Sequence, residues 1–119
     1  MHGLRSDIDL SFLVGQELQQ VCIGRHVATL CFGDNVSVCI ECEIAHKSNL
    51  GEVTALYMTK LPCASMLVDF INTTIIKAYG NPPGTLVLEF SNKEVLEIYD
   101  SNTVYESYHI TSGEKTIVV

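Results

Sequence analysis

From position 36 to position 44 the chain alternates without a break. Val36, Val38, Ile40, Cys42 and Ile44 hold one parity, and Ser37, Cys39, Glu41 and Glu43 the other. A period of two, with polarity reversed between the apolar positions, predicts a half-buried antiparallel strand. Just upstream, Ala28, Leu30 and Phe32 share a face in a strand from about His26 to Phe32. Gly33-Asp34-Asn35 joins the two, because Gly and Asn tolerate positive φ. Earlier still, Leu18, Val21 and Ile23 fail to keep one parity between Glu17 and Ile23, and a bulge near Gln19-Gln20 reconciles them. Gly24-Arg25 is the turn into the next strand.

The pattern then returns. Leu88-Glu89-Phe90-Ser91-Asn92-Lys93 and the alternating run Glu94 to Asp100 repeat Leu30-Cys31-Phe32-Gly33-Asp34-Asn35 and the strand after it. Gly15-Gln16-Glu17-Leu18 corresponds likewise to Asn72-Thr73-Thr74-Ile75. Two three-strand meanders are expected, over about 17-44 and about 74-100, with Phe32 and Phe90 in equivalent positions. Each unit has one apolar face and cannot bury it alone, so the two pack together. The predicted core is Leu30, Phe32, Val38, Ile40, Leu88, Phe90, Leu96 and Ile98.

Between the units, His46 to Gly51 reads as a loop, and Glu52 to Met58 as either a strand or a short helix. Cys63, Met66, Leu67, Phe70 and Ile71 fall at helical spacing behind Pro62, which predicts a helix over about Cys63 to Ile71; a continuous buried strand is the alternative. Thr74 to Tyr79 is a strand, and Gly80-Asn81-Pro82-Pro83-Gly84 a loop. After a turn at Ser101-Asn102, Val104 to Ile110 and Thr116 to Val119 are strands joined through Thr111-Ser112-Gly113-Glu114. The expected fold is α+β and mostly β, a single domain of 119 residues. Its two pseudo-repeated antiparallel units form a sheet or partly closed barrel, with one short helix between them.

Composition narrows the function classes. At 47% hydrophobic and 18% charged residues the chain belongs with globular proteins, not disordered ones. A formal net charge of −7 argues against general nucleic-acid binding, which needs clustered Lys and Arg, and suits a basic protein partner. No run approaches the roughly 20 apolar residues of a membrane span, so no membrane role is expected. Met1 to Asp9 lacks the apolar stretch of a signal peptide. Five cysteines, an odd number at irregular spacing, read as reduced thiols of a cytoplasmic protein.

Cys39-Ile40-Glu41-Cys42 has C-x-x-C spacing, but inside an alternating strand the two sulfurs point to opposite faces about 10 Å apart. Metal and redox motifs need both on one side, so neither a metal site nor a cofactor is expected. His2, His26, His46 and His109 are scattered without ligand spacing. Cys63 with His46 or His109 is the one thiol–imidazole pairing to weigh as nucleophile and base; no local signature accompanies it, and no catalytic residue is assigned. Glu41, Glu43, Glu89 and Glu97 fall on the polar parity of their strands. They are the candidate partner-binding residues of one acidic sheet face, or else a solvated face that opposes edge-to-edge association. Tyr99, Tyr105 and Tyr108 suit either an interface or the core. Glu106 shares parity with Val104, Tyr108 and Ile110, and with His109 supplies the candidate polar residues of a pocket.

The run Leu86-Val87-Leu88-Glu89-Phe90-Ser91-Asn92, through Leu96-Glu97-Ile98-Tyr99-Asp100 to Tyr105-Glu106-Ser107-Tyr108-His109-Ile110, resembles a family of small uncharacterised bacterial proteins. Its members share an L-x-L-x-F hairpin and a following strand with Tyr-Glu and an aromatic. Phe12 to Leu18, with Val21-Cys22-Ile23-Gly24, is similar to the opening of such proteins. The resemblance carries no activity; by analogy, some similar small acidic proteins are suspected immunity or accessory proteins beside toxin systems. The expected function is a non-enzymatic intracellular binding protein acting through an acidic surface, immunity- or inhibitor-like. Two alternatives stand beside it: a small-ligand pocket or enzyme between the β-units, and a self-associating subunit that forms a homodimer.

Overall fold

The computed structural model describes residues 9–24, 27–33, 35–41, 43–48, 53–57, 65–81, 85–99, 108–113 and 115–118. In chain order the elements are the 3-10 helix η1 (Ser11–Leu13), β1 (Leu18–Ile23), β2 (Ala28–Phe32), β3 (Val36–Ile40), β4 (Glu43–Lys47), β5 (Val53–Tyr57), η2 (Ser65–Phe70), β6 (Ile75–Asn81), β7 (Thr85–Phe90), β8 (Val95–Ile98), β9 (Tyr108–Ser112) and β10 (Lys115–Val118). They build two five-stranded antiparallel sheets, ordered β1-β2-β3-β9-β10 and β5-β4-β8-β7-β6, which stay open rather than closing into a barrel. Both sheets bury their inner faces in one shared core.

Read from its other edge, the second sheet runs β6-β7-β8-β4-β5, the same order as the first. Each sheet therefore takes three strands from one half of the chain and two from the other. The halves exchange strands. At residues 17 and 74 they meet in an isolated bridge, Glu17 with Thr74. Around it the hydrogen bonds come in matched pairs: Gly15 N–H to Ile75 O (2.8 Å) with Asn72 N–H to Leu18 O (2.9 Å), and Leu18 N–H to Thr73 O with Ile75 N–H to Gln16 O (both 2.9 Å).

The backbone conformations repeat as well. Gly15 and Asn72 have φ of 90° and 75°, and Asn35 and Lys93, at the tips of the two hairpins, 61° and 69°. A bulge interrupts β1 between Leu18 and Gln20, as expected, and its counterpart interrupts β6 between Ile75 and Lys77. Leu18 pairs with Phe32 and Ile75 with Phe90, so the two phenylalanines occupy equivalent places. All eight predicted core residues are buried, joined by Leu10 and Leu13 before β1 and by Leu67 and Phe70 before β6.

Several local expectations are corrected. The alternating run does not form one strand: Val36–Ile40 lies in the first sheet and Glu43–Lys47 in the second. Ile40 and Ile44 are both fully buried. Alternation reports which side chains face the core, not which sheet carries them, and the chain changes sheet while keeping its apolar parity inward. His46 and Lys47 belong to β4 rather than a loop, and Gly80 and Asn81 to β6. Residues 53–57 are a strand. The helix expected over about Cys63 to Ile71 is the six-residue 3-10 helix η2; Pro62 and Cys63 lie outside the described residues. The first turn is closed by Gly24 N–H to Val27 O at 2.7 Å, so it reaches further than Gly24-Arg25. β9 begins at Tyr108, and the earlier part of the strand expected from Val104 lies outside the described residues.

Candidate functional site

Among the described residues, two clusters bring charged side chains from different strands to an aromatic ring. The first is on the outer face of the second sheet. There Glu89 on β7 is opposite Val95 on β8, Val87 is opposite Glu97, and β6 adds Lys77 opposite Glu89 and Tyr79 opposite Val87. Burial first, then a hydrogen bond from the Tyr79 hydroxyl to the Glu89 carboxylate and the charges of Glu89 and Glu97, pushes the phenol above its ordinary range. Lys77 Nζ sits 5.5 Å from the centroid of the Tyr79 ring. Glu89 and Glu97 are half-buried here, not freely exposed, and Val87, opposite Glu97, is 2% exposed.

The four predicted carboxylates are divided. Glu43 opens β4 in register with Tyr57, two residues before Ala45, which is opposite Glu97. Glu41 belongs elsewhere: it is exposed beyond β3, its Oε2 3.8 Å from His109 Nε2 on β9 of the first sheet. His109 is opposite Cys39 on one side and Val118 on the other, on the outer parity of that sheet. Glu106 and Tyr105 lie outside the described residues; Tyr108 is fully buried and Tyr99 partly so.

The second place is polar ground on the inner face that sequence reasoning missed. The register sets His46 opposite Leu96, the position that Ile110 holds opposite Val38 in the other sheet. His46 Nε2 and Glu94 Oε1 are 2.5 Å apart, and both side chains are largely withdrawn from solvent. The imidazole meets Phe70 edge-on with centroids 5.2 Å apart, and Phe70 tilts onto Phe90 at 4.8 Å. Glu94 is fixed by its N–H donating to Asn92 Oδ1 (3.0 Å) and its carbonyl accepting from Phe90 N–H (2.9 Å).

The pseudo-symmetry supplies the comparison. The counterparts of His46, Glu94, Phe70 and Phe90 are Ile110, Val36, Leu13 and Phe32, all apolar and buried. One copy of the duplicated core has thus become polar at a matched position. The clue was present: extended by one step, the parity that runs from Val36 to Ile44 arrives at His46.

A carboxylate that holds one imidazole nitrogen orients the ring, the arrangement a positioned base uses. Among the described residues, no three His, Cys, Asp or Glu side chains converge as metal ligands. No helix among them is long and apolar enough to cross a membrane. No family model, curated protein or solved structure matches this chain.

Proposed function

We propose that this is a non-enzymatic binding protein that acts through the outer face of its second sheet on a partner presenting basic residues. The Tyr79–Glu89–Glu97 cluster carries the reading. Tyr79 is 39% exposed, so its ring offers area to a partner while its hydrogen bond to Glu89 holds it in place, and such residues anchor interfaces. Two carboxylates beside it favour Lys or Arg on the partner, and the net charge of −7 steers such a partner in. Ile76, on the same edge strand as Tyr79 and 55% exposed, adds apolar area. A protein of this kind would act as an inhibitor that caps a basic surface, a form of the reading that the acidic composition suits.

The test is affinity capture from lysate of the source organism with the wild type and with Glu89→Lys/Glu97→Lys. The wild type retains a basic protein that moderate salt releases, and the variant, folded to the same melting temperature, does not. Equal retention by both would remove the reading.

A small-ligand site between the β-units is the second reading, favoured by the His46–Glu94 pair alone. A screen of small anions and polar metabolites that follows the His46 ring protons by NMR decides it; an unperturbed ring across the screen removes this alternative.

A further inference from the structure

The outer face of the first sheet gathers three thiols. Cys22 on β1 and Cys39 on β3 are each directly opposite Thr29 on β2, and Cys31 is the next outward residue along β2. All three are free, with Cys22 exposed and the other two partly buried. The Sγ atoms of Cys22 and Cys31 are 3.9 Å apart. To form a bond of ~2.05 Å they must close by roughly 1.9 Å. Side-chain rotation supplies part of this and movement of the strand the rest. Among the described residues β1 is an edge strand, held by β2 and, at Leu18, by backbone bonds to Asn72 and Thr73, and it is already bulged between Leu18 and Gln20. Cys39 lacks that freedom, because β3 is held between β2 and β9.

We propose that Cys22 and Cys31 form a reversible redox pair, oxidised by a low-molecular-weight disulfide of the glutathione class. Cys22 gives its proton to solvent and its thiolate attacks one sulfur of the small disulfide. That S–S bond breaks, one small thiol leaves and takes up a proton, and a mixed disulfide remains on Cys22. Cys31 then loses its proton and attacks Cys22 Sγ, which forms the intrachain bond and expels the second small thiol. Two protein thiols give up two electrons, and the small disulfide accepts them. Burial, and then the neighbouring Cys22, hold the Cys31 thiol in its protonated form, which leaves the exposed Cys22 as first attacker. Exposed or strained cross-links of this kind are the labile, regulatory ones. The product ties the edge strand β1 to β2. This inference is independent of the binding face on the second sheet.

The experiment equilibrates the full chain in glutathione buffers of graded oxidised-to-reduced ratio, quenches with an alkylating agent and maps cysteine peptides by mass spectrometry. A Cys22–Cys31 linkage that appears with oxidised glutathione and reverses with excess reduced glutathione is expected. Cys31→Ser should instead stop at a glutathione adduct on Cys22. Adducts without linkage in the wild type, a dominant Cys31–Cys39 bond, or no reaction would each overturn the proposal. So would the same pairing preference in denaturing urea, since the sheet would then play no part.

Discussion

At the scale of single residues the duplicated core provides its own control. Val36 and Ile110 show that the fold accepts apolar side chains where the other copy has Glu94 and His46. Removing one partner of this part-buried pair costs the other its hydrogen bond, so Glu94→Val alone should destabilise by about 1 kcal/mol in urea titration. The double change His46→Ile/Glu94→Val restores the matched pair and should recover the loss or exceed wild-type stability, as apolar replacements of buried pairs often do. Tyr79 gives a test against pH. Its phenol titrates higher folded than unfolded, so its contribution is complete below the unfolded value of about 10 and is lost as pH rises through the folded one. Tyr79→Phe should therefore unfold with a shallower alkaline decline than the wild type in thermal melts. Little of this was legible beforehand. Parity marked Glu89 and Glu97 as facing away from the core, but the phenol that draws them together comes from β6, a strand apart in the sheet, and sequence spacing carries no information on such contacts.

The elements themselves were largely legible, because a period of two leaves a plain trace when one face is buried. β1, β2, β3, β7 and β8 and their eight inward residues follow from it, and so does the bulge in β1. The failures have two causes. Where polar residues occupy strand positions, as in His46 and Lys47, the trace disappears and a loop is read instead. Where a segment is short and tightly wound, as η2 is, helical spacing does not separate a 3-10 turn from an α-helix. Matched elements also predict matched energetics. Phe32→Ala and Phe90→Ala should each cost about 3–5 kcal/mol by chemical denaturation. The second should be the larger, by about 0.5–1.5 kcal/mol, because Phe90 also meets the Phe70 ring at a tilt whereas the counterpart of Phe70 is Leu13. Equal costs would mean that the aromatic contact adds nothing beyond burial.

At the scale of the whole molecule the strand exchange dominates. Neither half owns a complete sheet: β4 and β5 finish the sheet begun by β6 to β8, and β9 and β10 finish the one begun by β1 to β3. The repeat was visible in the sequence but the exchange was not, since a pattern of inward and outward residues is the same whichever sheet receives the strand. A chain cut between β5 and β6 should give two fragments that are each largely unfolded alone and that recover the native circular dichroism and cooperative melt when mixed. A fragment with a stable melt of its own would show that one half suffices. The exchange also sets an order in time. Hairpins β1–β2, β2–β3, β6–β7 and β7–β8 join neighbours in sequence, whereas the β3–β9 seam joins Val38 to Ile110 and cannot close until the intervening chain exists. As the protein leaves the ribosome, β3 therefore waits with one side unpaired through the making of an entire second meander, at about 5–20 residues per second. For those seconds its open flank can be joined by any extended segment nearby, and the nascent chain rather than the finished protein is where a companion or a chaperone has most to do.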